Sequence, residues 1–228
     1  MNKNNVNILG LDLSTNNCSV ALLYNGQIKE IAIASNIVRA QKLLSMINEL
    51  LKENQVELNK LTLLAFGAGP GSFTGLKIAS SVIQGLHLTW QKPIIKISSL
   101  WALALQGYEQ FGCEYIMPCI DAKMGQVYYG IYGINSNEDS GFPILIQEDS
   151  LAEPKDIKIS NNSILVVGDG AHLLQQKMLL GLNQKLKIEP TVQYVQASSI
   201  VKLTEYLYNK FDNVIVNNAD PFYLKLYD

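Results

Sequence analysis

The chain has 228 residues, of which 48% are hydrophobic and 17% are charged, and its formal net charge is -2. This composition can bury a sizeable core and excludes a disordered chain, and the length suits one large domain or two small ones. Arg39 is the only arginine, so the sequence offers no basic stripe that would neutralise a phosphate backbone. We therefore expect no tight, direct binding of nucleic acid by this chain alone.

The start of the chain predicts a cytoplasmic protein, and its cysteines predict buried thiols. Residues 1–5 lack an apolar signal region, and no run of about 18 apolar residues predicts a membrane span. The three cysteines, Cys18, Cys113 and Cys119, are an odd number without paired CxxC spacing, which favours buried thiols over a disulfide or a zinc site.

The first half of the chain predicts three strands followed by alternating helices and strands. An apolar strand ends at Asp12, a second strand returns through Val20, and Asn25-Gly26 is typical of a type I′ turn into a third strand near Gln27 to Ala34. The next predicted elements are a helix bearing Leu43, Ile47, Leu50 and Leu51, a strand near Leu61, a helix from about Gly75, a strand near Pro93 to Ile97 and a helix capped by Ser98 or Ser99.

The second half repeats this order, which predicts a duplicated unit. Its predicted elements are strands at Tyr115 to Ile120, Gln126 to Ile134, Pro143 to Gln147 and Ile164 to Val167, a helix from about Ala171, a strand near Leu186 to Glu189 and a helix bearing Ile200, Leu203, Leu207 and Phe211. We place the boundary between Phe111 and Tyr115, marked by Gly112, which gives domains of residues 1–112 and 113–228.

A glycine-rich loop from Gly67 to Gly75 lies between an apolar strand and a helix. Four glycines and one proline in this loop predict backbone held close to another group, since glycine alone allows both positive φ and near approach freely. The spacing fits neither the GxGxxG fingerprint nor the P-loop. Two interpretations stay open: amides that bind phosphate at a helix N-terminus, or a loop packed tightly between strand and helix.

Few residues carry the chemistry of a catalytic or metal site. Asp12 ends a strand beside Ser14 and Thr15, and their oxygens suit a magnesium-phosphate group, although an ordinary turn has the same residues. The two histidines, His87 and His172, lie far apart, and neither has a histidine or cysteine at ligand spacing, so we expect no metal site.

Four segments together resemble the TsaB (YeaZ) family of the actin-like ATPase superfamily, whose members help to make threonylcarbamoyladenosine in tRNA. These segments are Leu11 to Thr15 with Cys18 to Ala21, Gly69 to Ile78, Asp121 to Tyr128, and Ala219 to Lys225, and they occur in the family's order. The resemblance implies an α/β fold of two RNase H-like subdomains, each with three antiparallel strands followed by alternating helices and strands.

The resemblance implies a noncatalytic subunit that binds and activates TsaD. TsaD would transfer threonylcarbamoyl from an adenylate to the adenosine next to the anticodon, with TsaE as the component that hydrolyses ATP. It also implies a homodimer when the chain is alone, contact with tRNA only through the complex, no membrane partner and no cofactor of its own, with ATP or ADP and magnesium in the complex. TsaD holds its metal through two histidines four residues apart, a pair that this sequence lacks.

The rival hypothesis is a stand-alone kinase or ATPase of the same superfamily. Such an enzyme needs an acidic residue on each side of its cleft, and Asp12 with Asp121 supplies that pair. Asp121 is followed by Ala122 and Lys123 instead of the usual acidic-glycine turn, which favours a scaffold. The candidate nucleotide-binding residues are Asp12, Ser14, Thr15, Asp121 and Lys123.

The resemblance also implies a partner surface on the first two helices, used in turn by a second copy and by TsaD. Its candidate residues are Leu43, Met46, Ile47, Leu50, Gly75, Ile78, Ala79 and Val82. The alternative is that Met46 and Ile78 complete the core. Arg39-Ala40 stands where family members often carry His-Thr or His-Ser, which puts any contact of that histidine in doubt.

Overall fold

The computed structural model describes residues 6–34, 39–134, 141–159, 163–178 and 186–224. The strands are β1 (Ile8–Asp12), β2 (Asn17–Tyr24), β3 (Gln27–Ala34), β4 (Leu63–Gly67), β5 (Ile94–Ile97), β6 (Tyr115–Lys123), β7 (Gln126–Gly133), β8 (Ile144–Ala152), β9 (Ile164–Val167) and β10 (Leu186–Ile188). The helices are α1 (Arg39–Glu53), α2 (Phe73–Trp90), α3 (Ser99–Phe111), α4 (Ala171–Met178) and α5 (Ala197–Lys210), with 3₁₀ turns at Leu58–Lys60 and Pro154–Asp156.

The chain forms two compact units. Unit 1 consists of Met1–Ser98 and Val195–Phe222, and unit 2 consists of Ser99–Tyr194 and Tyr223–Asp228. The five-stranded sheet of unit 1 has the order β3-β2-β1-β4-β5, in which β1 to β3 are antiparallel and β4 and β5 run parallel to β1. Asn25 and Gly26 have φ values of +50° and +75°, which confirms the type I′ turn between β2 and β3.

Both faces of the sheet in unit 1 are covered by helices. Leu9 and Leu11 belong to one core cluster with the apolar residues of α1 and α2. Gly10 alternates with them and faces α5, where an added Cβ would lie 2.5 Å from Val201. The β1 strand is therefore buried on both faces, which explains why all of its five residues are buried.

The five-stranded sheet of unit 2 repeats this topology. Its order is β10-β9-β6-β7-β8, with β6 to β8 antiparallel and with β9 and β10 continuing parallel to β6. The helix α3 packs on β6, β7 and β9, while α4 packs on β6 and β10. The predicted duplication of three antiparallel strands followed by alternating helices and strands is thus confirmed.

The division of the chain differs from the predicted boundary at Gly112. The chain passes from unit 1 to unit 2 between Ser98 and Ser99, because α3 packs on the second sheet, where an added Cβ on Gly107 would lie 3.3 Å from Ile116. The last helix, α5, packs on β1, β2 and β4 of the first sheet instead of staying with residues 113–228. The last helix of the first half, α3, thus packs on the second sheet, and the last helix of the second half, α5, packs on the first sheet.

Two further expectations concern the membrane and the cysteines. Within the ranges that the structure describes, no helix is both long and apolar enough to cross a membrane. None of the three described cysteines forms a disulfide; Cys18 and Cys119 are buried and Cys113 is partly buried. Burial raises the pKa of the Cys119 thiol, so this thiol stays protonated at neutral pH.

Candidate functional site

The glycine-rich loop lies directly against the turn that joins β1 to β2. The Ser72 N–H donates to the carbonyl oxygen of Ser14 at 2.7 Å, which ties the loop to this turn. The Ser72 hydroxyl then accepts a bond from the N–H of Gly75 at 3.3 Å, so that Ser72 caps the N-terminus of α2. The loop therefore ends by starting a helix, as its sequence position predicts.

Three glycines of this region are required by close packing against β1 and the turn. A Cβ on Gly75 would lie 1.8 Å from the Leu13 carbonyl oxygen, and one on Gly71 would lie 2.3 Å from that of Ser14. A Cβ on Gly67 would lie 1.8 Å from the Asp12 carboxylate. Of the two interpretations left open by the sequence, the geometry supports the tightly packed loop.

The three candidate nucleotide-binding residues of unit 1 bind the chain itself. Asp12 is 0% exposed and accepts bonds of 2.9 Å from both the N–H and the hydroxyl of Ser14. Thr15 is 2% exposed, and its hydroxyl accepts from the N–H of Val195 at 3.1 Å. These polar side chains are thus buried and hydrogen-bonded within the chain, as buried polar groups generally are, and their binding of a nucleotide stays a prediction.

The same turn and strand hold the start of α5, through residues that sequence reasoning missed. The Asn17 amide donates to the Val195 carbonyl at 3.3 Å, and the Ser19 hydroxyl accepts from the Ala197 N–H at 2.9 Å. The Glu30 carboxylate accepts from the Ser198 N–H at 3.3 Å, where the helix dipole favours a negative charge. The sequence did contain a signal for this contact. Asn17 and Ser19 are polar residues two positions apart in an otherwise apolar strand, so they lie on the same face of it.

Unit 2 contains a charged cluster at the end of β6. The Lys123 ammonium and the Lys123 N–H donate to the two Asp121 carboxylate oxygens at 2.8 and 2.7 Å. The Asp121 N–H in turn donates to the Asp169 carboxylate at 3.0 Å, and the His172 ring lies within hydrogen-bonding distance of the Asp169 carbonyl. The structure thus brings together Asp121 and Lys123, both predicted, with Asp169, which the prediction did not include.

The two aspartates of this cluster have pKa values shifted in opposite directions. Burial raises the pKa of Asp169; the bond from the Asp121 N–H opposes this shift, and the negative charge of Asp121 reinforces it. Burial also acts to raise the pKa of Asp121, but the bonds from Lys123 outweigh it, so this pKa lies below its ordinary value. The bond to Asp121 raises the pKa of the Lys123 ammonium. The cluster therefore holds one strongly ionised carboxylate and one whose ionisation is opposed.

The turn after Asp121 holds three successive residues in the left-handed region. Lys123, Met124 and Gly125 have φ values of +70°, +54° and +78°, and the Met124 side chain is 97% exposed. Among the residues described, no group of three or more His, Cys, Asp or Glu side chains is placed to hold a metal ion. The cluster contains an ion pair in which the Lys123 side chain is 70% exposed and the Asp121 side chain is 19% exposed.

Most of the predicted partner residues lie inside the core of unit 1. Met46 is 2% exposed and packs in the same cluster as Leu43, Ile47, Leu50 and Ala79, while Ile78 and Val82 are partly buried against it, and Gly75 is also buried. The structure therefore supports the alternative that Met46 completes the core. Large apolar side chains that these helices do expose are Leu44 on α1 and Phe73 and Leu88 on α2. The side chains of Arg39 and Ala40 lie outside the described part.

Comparison with known proteins gives consistent matches. A family model described as "TsaD: tRNA N6-adenosine threonylcarbamoyltransferase" matches residues 38–189. A protein named "tRNA threonylcarbamoyladenosine biosynthesis protein TsaB" from Haemophilus influenzae is 41% identical over 125 residues, which is 55% of this chain and 53% of that protein. The chain thus matches about half the length of this relative.

Two further matches cover more than four fifths of the chain. A protein of the same name from Buchnera aphidicola subsp. Schizaphis graminum is 32% identical over 191 residues, covering 82% of this chain and 89% of that protein. A solved structure described as "YeaZ from Pseudomonas aeruginosa" superposes with a TM-score of 0.85 at 30% identity, covering 96% of this chain and 100% of that one. These matches confirm the predicted α/β fold of two RNase H-like subdomains.

The close approach of Gly75 to β1 predicts a large effect of one methyl group. We expect Gly75→Ala to lower the free energy of unfolding by roughly 2 kcal/mol or more, because its Cβ would overlap a backbone oxygen that cannot rotate away. Urea unfolding followed by circular dichroism measures this loss.

The matched control lies in the same helix. A Cβ added to Gly85 would have no atom within 4 Å, so Gly85→Ala changes stability only through the higher helix propensity of alanine. We expect this variant to gain about 0.5 to 1 kcal/mol. Equal stability of the two alanine variants would show that the loop does not depend on close packing.

The raised pKa of Asp169 predicts a pH-dependent gain on neutralising it. A carboxyl whose folded pKa lies above its ordinary value of 3.8 costs stability as the pH rises from that value through the folded pKa. Asp169→Asn keeps an oxygen for the Asp121 N–H and removes this cost. We expect its stability relative to wild type to increase from about pH 3 to pH 7, measured by urea unfolding.

Asp169→Ala separates charge from hydrogen bonding. It removes the oxygen that the Asp121 N–H donates to, so it should be less stable than Asp169→Asn across that whole pH range. A wild-type pH profile parallel to that of Asp169→Asn would contradict the assigned shift.

Proposed function

Because this chain belongs to the TsaB (YeaZ) family, we propose that it takes part in the biosynthesis of threonylcarbamoyladenosine in tRNA as a noncatalytic subunit that binds and activates TsaD. TsaD would transfer threonylcarbamoyl from an adenylate to the adenosine next to the anticodon, and TsaE would supply ATP hydrolysis. The observation that carries this proposal is the double likeness of the chain, to TsaB proteins along its length and to the TsaD family over residues 38–189.

The likeness to TsaD suggests how the two proteins associate. Two chains with the same fold carry equivalent helices, so an isologous contact between two copies can be replaced by a contact with the related chain. Leu44 on α1 and Phe73 and Leu88 on α2 are exposed, so these helices have apolar side chains that an association could bury. We propose that one surface serves the homodimer and TsaD in turn.

The chemistry of the chain supports a noncatalytic role. Asp12, which a kinase or ATPase would use for its magnesium nucleotide, is buried and bonded to Ser14. A net charge of -2 with a single arginine gives no phosphate-binding stripe, so tRNA would be bound by TsaD. We propose that this chain has no cofactor of its own and that ATP or ADP with magnesium belongs to the assembled complex.

The decisive experiment compares the purified chain with the reconstituted system. We expect no phosphate release from ATP and magnesium by the chain alone. With TsaD, TsaE, tRNA and threonylcarbamoyl adenylate, modification of tRNA should increase by about tenfold or more when the chain is added. Mass spectrometry of tRNA digests measures the modified adenosine.

The alternative of a stand-alone kinase or ATPase has its own signature. Phosphate release by the chain alone that Asp121→Asn abolishes, with the melting temperature unchanged, would support that alternative and contradict the proposal. Full modification by TsaD and TsaE without the chain would contradict it as well.

The exposed residues of α2 predict which substitutions break association. We expect Leu88→Glu to weaken both self-association and capture of TsaD by about tenfold, because a carboxylate would be buried in an apolar contact. Analytical ultracentrifugation measures the first effect and surface plasmon resonance the second.

Two variants serve as controls for this surface. Leu145→Glu changes another exposed leucine, on β8 of unit 2, and should leave both affinities unchanged. Met46→Asp places a charge in the core and should unfold the chain. A folded Leu88→Glu protein with wild-type affinities would show that the contact lies elsewhere.

A further inference from the structure

The C-terminal segment Val216–Phe222, here called the strap, runs across unit 1 after α5. Val216 exchanges two backbone hydrogen bonds with Ile94, donating at 2.8 Å and accepting at 3.1 Å. Ile94 belongs to β5, the edge strand of the sheet, so the strap covers backbone groups that the sheet leaves unpaired.

The strap then reaches α2. Ala219 is buried in the same core cluster as the apolar residues of that helix. Its N–H donates to the Gln84 side-chain oxygen at 3.0 Å. The strap is therefore fixed to the outside of the sheet and to the helix that follows the glycine-rich loop.

The strap ends on the glycine-rich loop itself. The Phe222 N–H donates to the Ala68 carbonyl at 2.7 Å, and the Lys96 ammonium lies 5.1 Å from the centre of the Phe222 ring. Gly69 has φ +109°, and a Cβ there would lie 2.8 Å from the Phe222 carbonyl oxygen. The missing side chain of Gly69 thus allows the strap to pack closely on the loop. Gly71 and Gly75 allow the same close packing of the β1–β2 turn on the other side of the loop.

The strap differs from the rest of unit 1 in how it is held. Asn217, Asn218 and Asp220 are exposed, and Phe222 keeps part of its ring in solvent. Segments with few buried apolar contacts and exposed backbone bonds open locally at lower free energy than the core does. Opening of the strap would release the loop from one side, while the bond from Ser72 to Ser14 holds the other side.

We propose that the strap is a latch, which opens as one segment without unfolding unit 1 and which, when closed, holds the glycine-rich loop and the start of α2 in the conformation that binds the partner. The coupling to partner binding rests on the proposed function. The latch itself does not, because it concerns only contacts within this chain.

Hydrogen exchange of the full chain tests the latch. Phe222→Pro removes the N–H that binds Ala68, and Phe222→Ala removes the ring beside Lys96 while keeping that N–H. We expect the amides of Ile94 and Val216, which bond to each other, to exchange about tenfold faster in Phe222→Pro than in wild type, while amides of α5 stay unchanged. Phe222→Ala should give a smaller increase at the same positions.

The test includes a matched control, Phe211→Ala, and a second strap variant, Gln84→Leu. Phe211 is also an exposed aromatic residue with a lysine near its ring, Lys210 at 5.7 Å, but it lies at the end of α5, before the strap begins. Phe211→Ala should leave exchange of the Ile94 and Val216 amides unchanged. If Phe222→Pro fails to fold, Gln84→Leu removes the acceptor for the Ala219 N–H and should accelerate the same amides.

Binding of TsaD tests the coupling. We expect Phe222→Ala and Gln84→Leu to weaken capture of TsaD by about fivefold and Phe211→Ala to leave it unchanged. Wild-type exchange in every strap variant would overturn the latch, and faster exchange with unchanged TsaD affinity would overturn the coupling. Failure of the wild-type chain to bind TsaD would contradict the proposed function, while the exchange results would still decide the latch.

Discussion

Unit 1 depends on one short turn, residues 12–17 between β1 and β2, whose backbone and side chains bind two other parts of the chain. The Ser14 carbonyl accepts from Ser72 in the glycine-rich loop, and the Thr15 hydroxyl accepts from Val195 ahead of α5. The contacts of the turn are so close that only hydrogen fits between the Gly75 Cα and the Leu13 oxygen. The buried polar groups of the turn are therefore used to hold these segments together, which is a structural role in this half of the molecule.

The two halves of the chain solve the same packing problem with different chemistry. After β9, Gly168 and Gly170 approach the end of β6 as the glycine-rich loop approaches β1, and a Cβ on Gly168 would lie 2.1 Å from the Cys119 oxygen. The aspartate at the strand end is buried and bonded to Ser14 in unit 1, but in unit 2 Asp121 is partly exposed and bonded to Lys123. The two units therefore share the close approach of glycines to the end of a strand. The aspartate at that strand end is buried in unit 1 and partly exposed to solvent in unit 2.

Local sequence signals predicted most elements of both halves. Alternation, turn chemistry and the Ser99 helix start depend on neighbouring residues, so most strands and helices were predicted close to their observed bounds. The strand β8 is an exception, because it was predicted to end at Gln147 and continues to Ala152. The boundary at Gly112 was wrong as a division of the units, because an amphipathic face shows that a helix is covered and does not show which sheet covers it. Met46 lies three residues after Leu43 and four before Leu50, a spacing that already favours the core stripe, and the structure buries it there.

The glycine-rich loop shows why a motif can be recognised without its mechanism. Four glycines predicted close approach, and the approach is real, but the groups that come close are parts of the same chain, which no local pattern identifies. Gly69 meets the strap some 150 residues away in sequence, a separation set by the positions of Gly69 and Phe222. The loop contacts the β1–β2 turn near the start of unit 1 and the strap at its end, so its conformation depends on both. The same contacts also fix the start of α2, because the loop leads directly into that helix. If α2 carries the partner surface, binding of the partner then requires that unit 1 is completely folded.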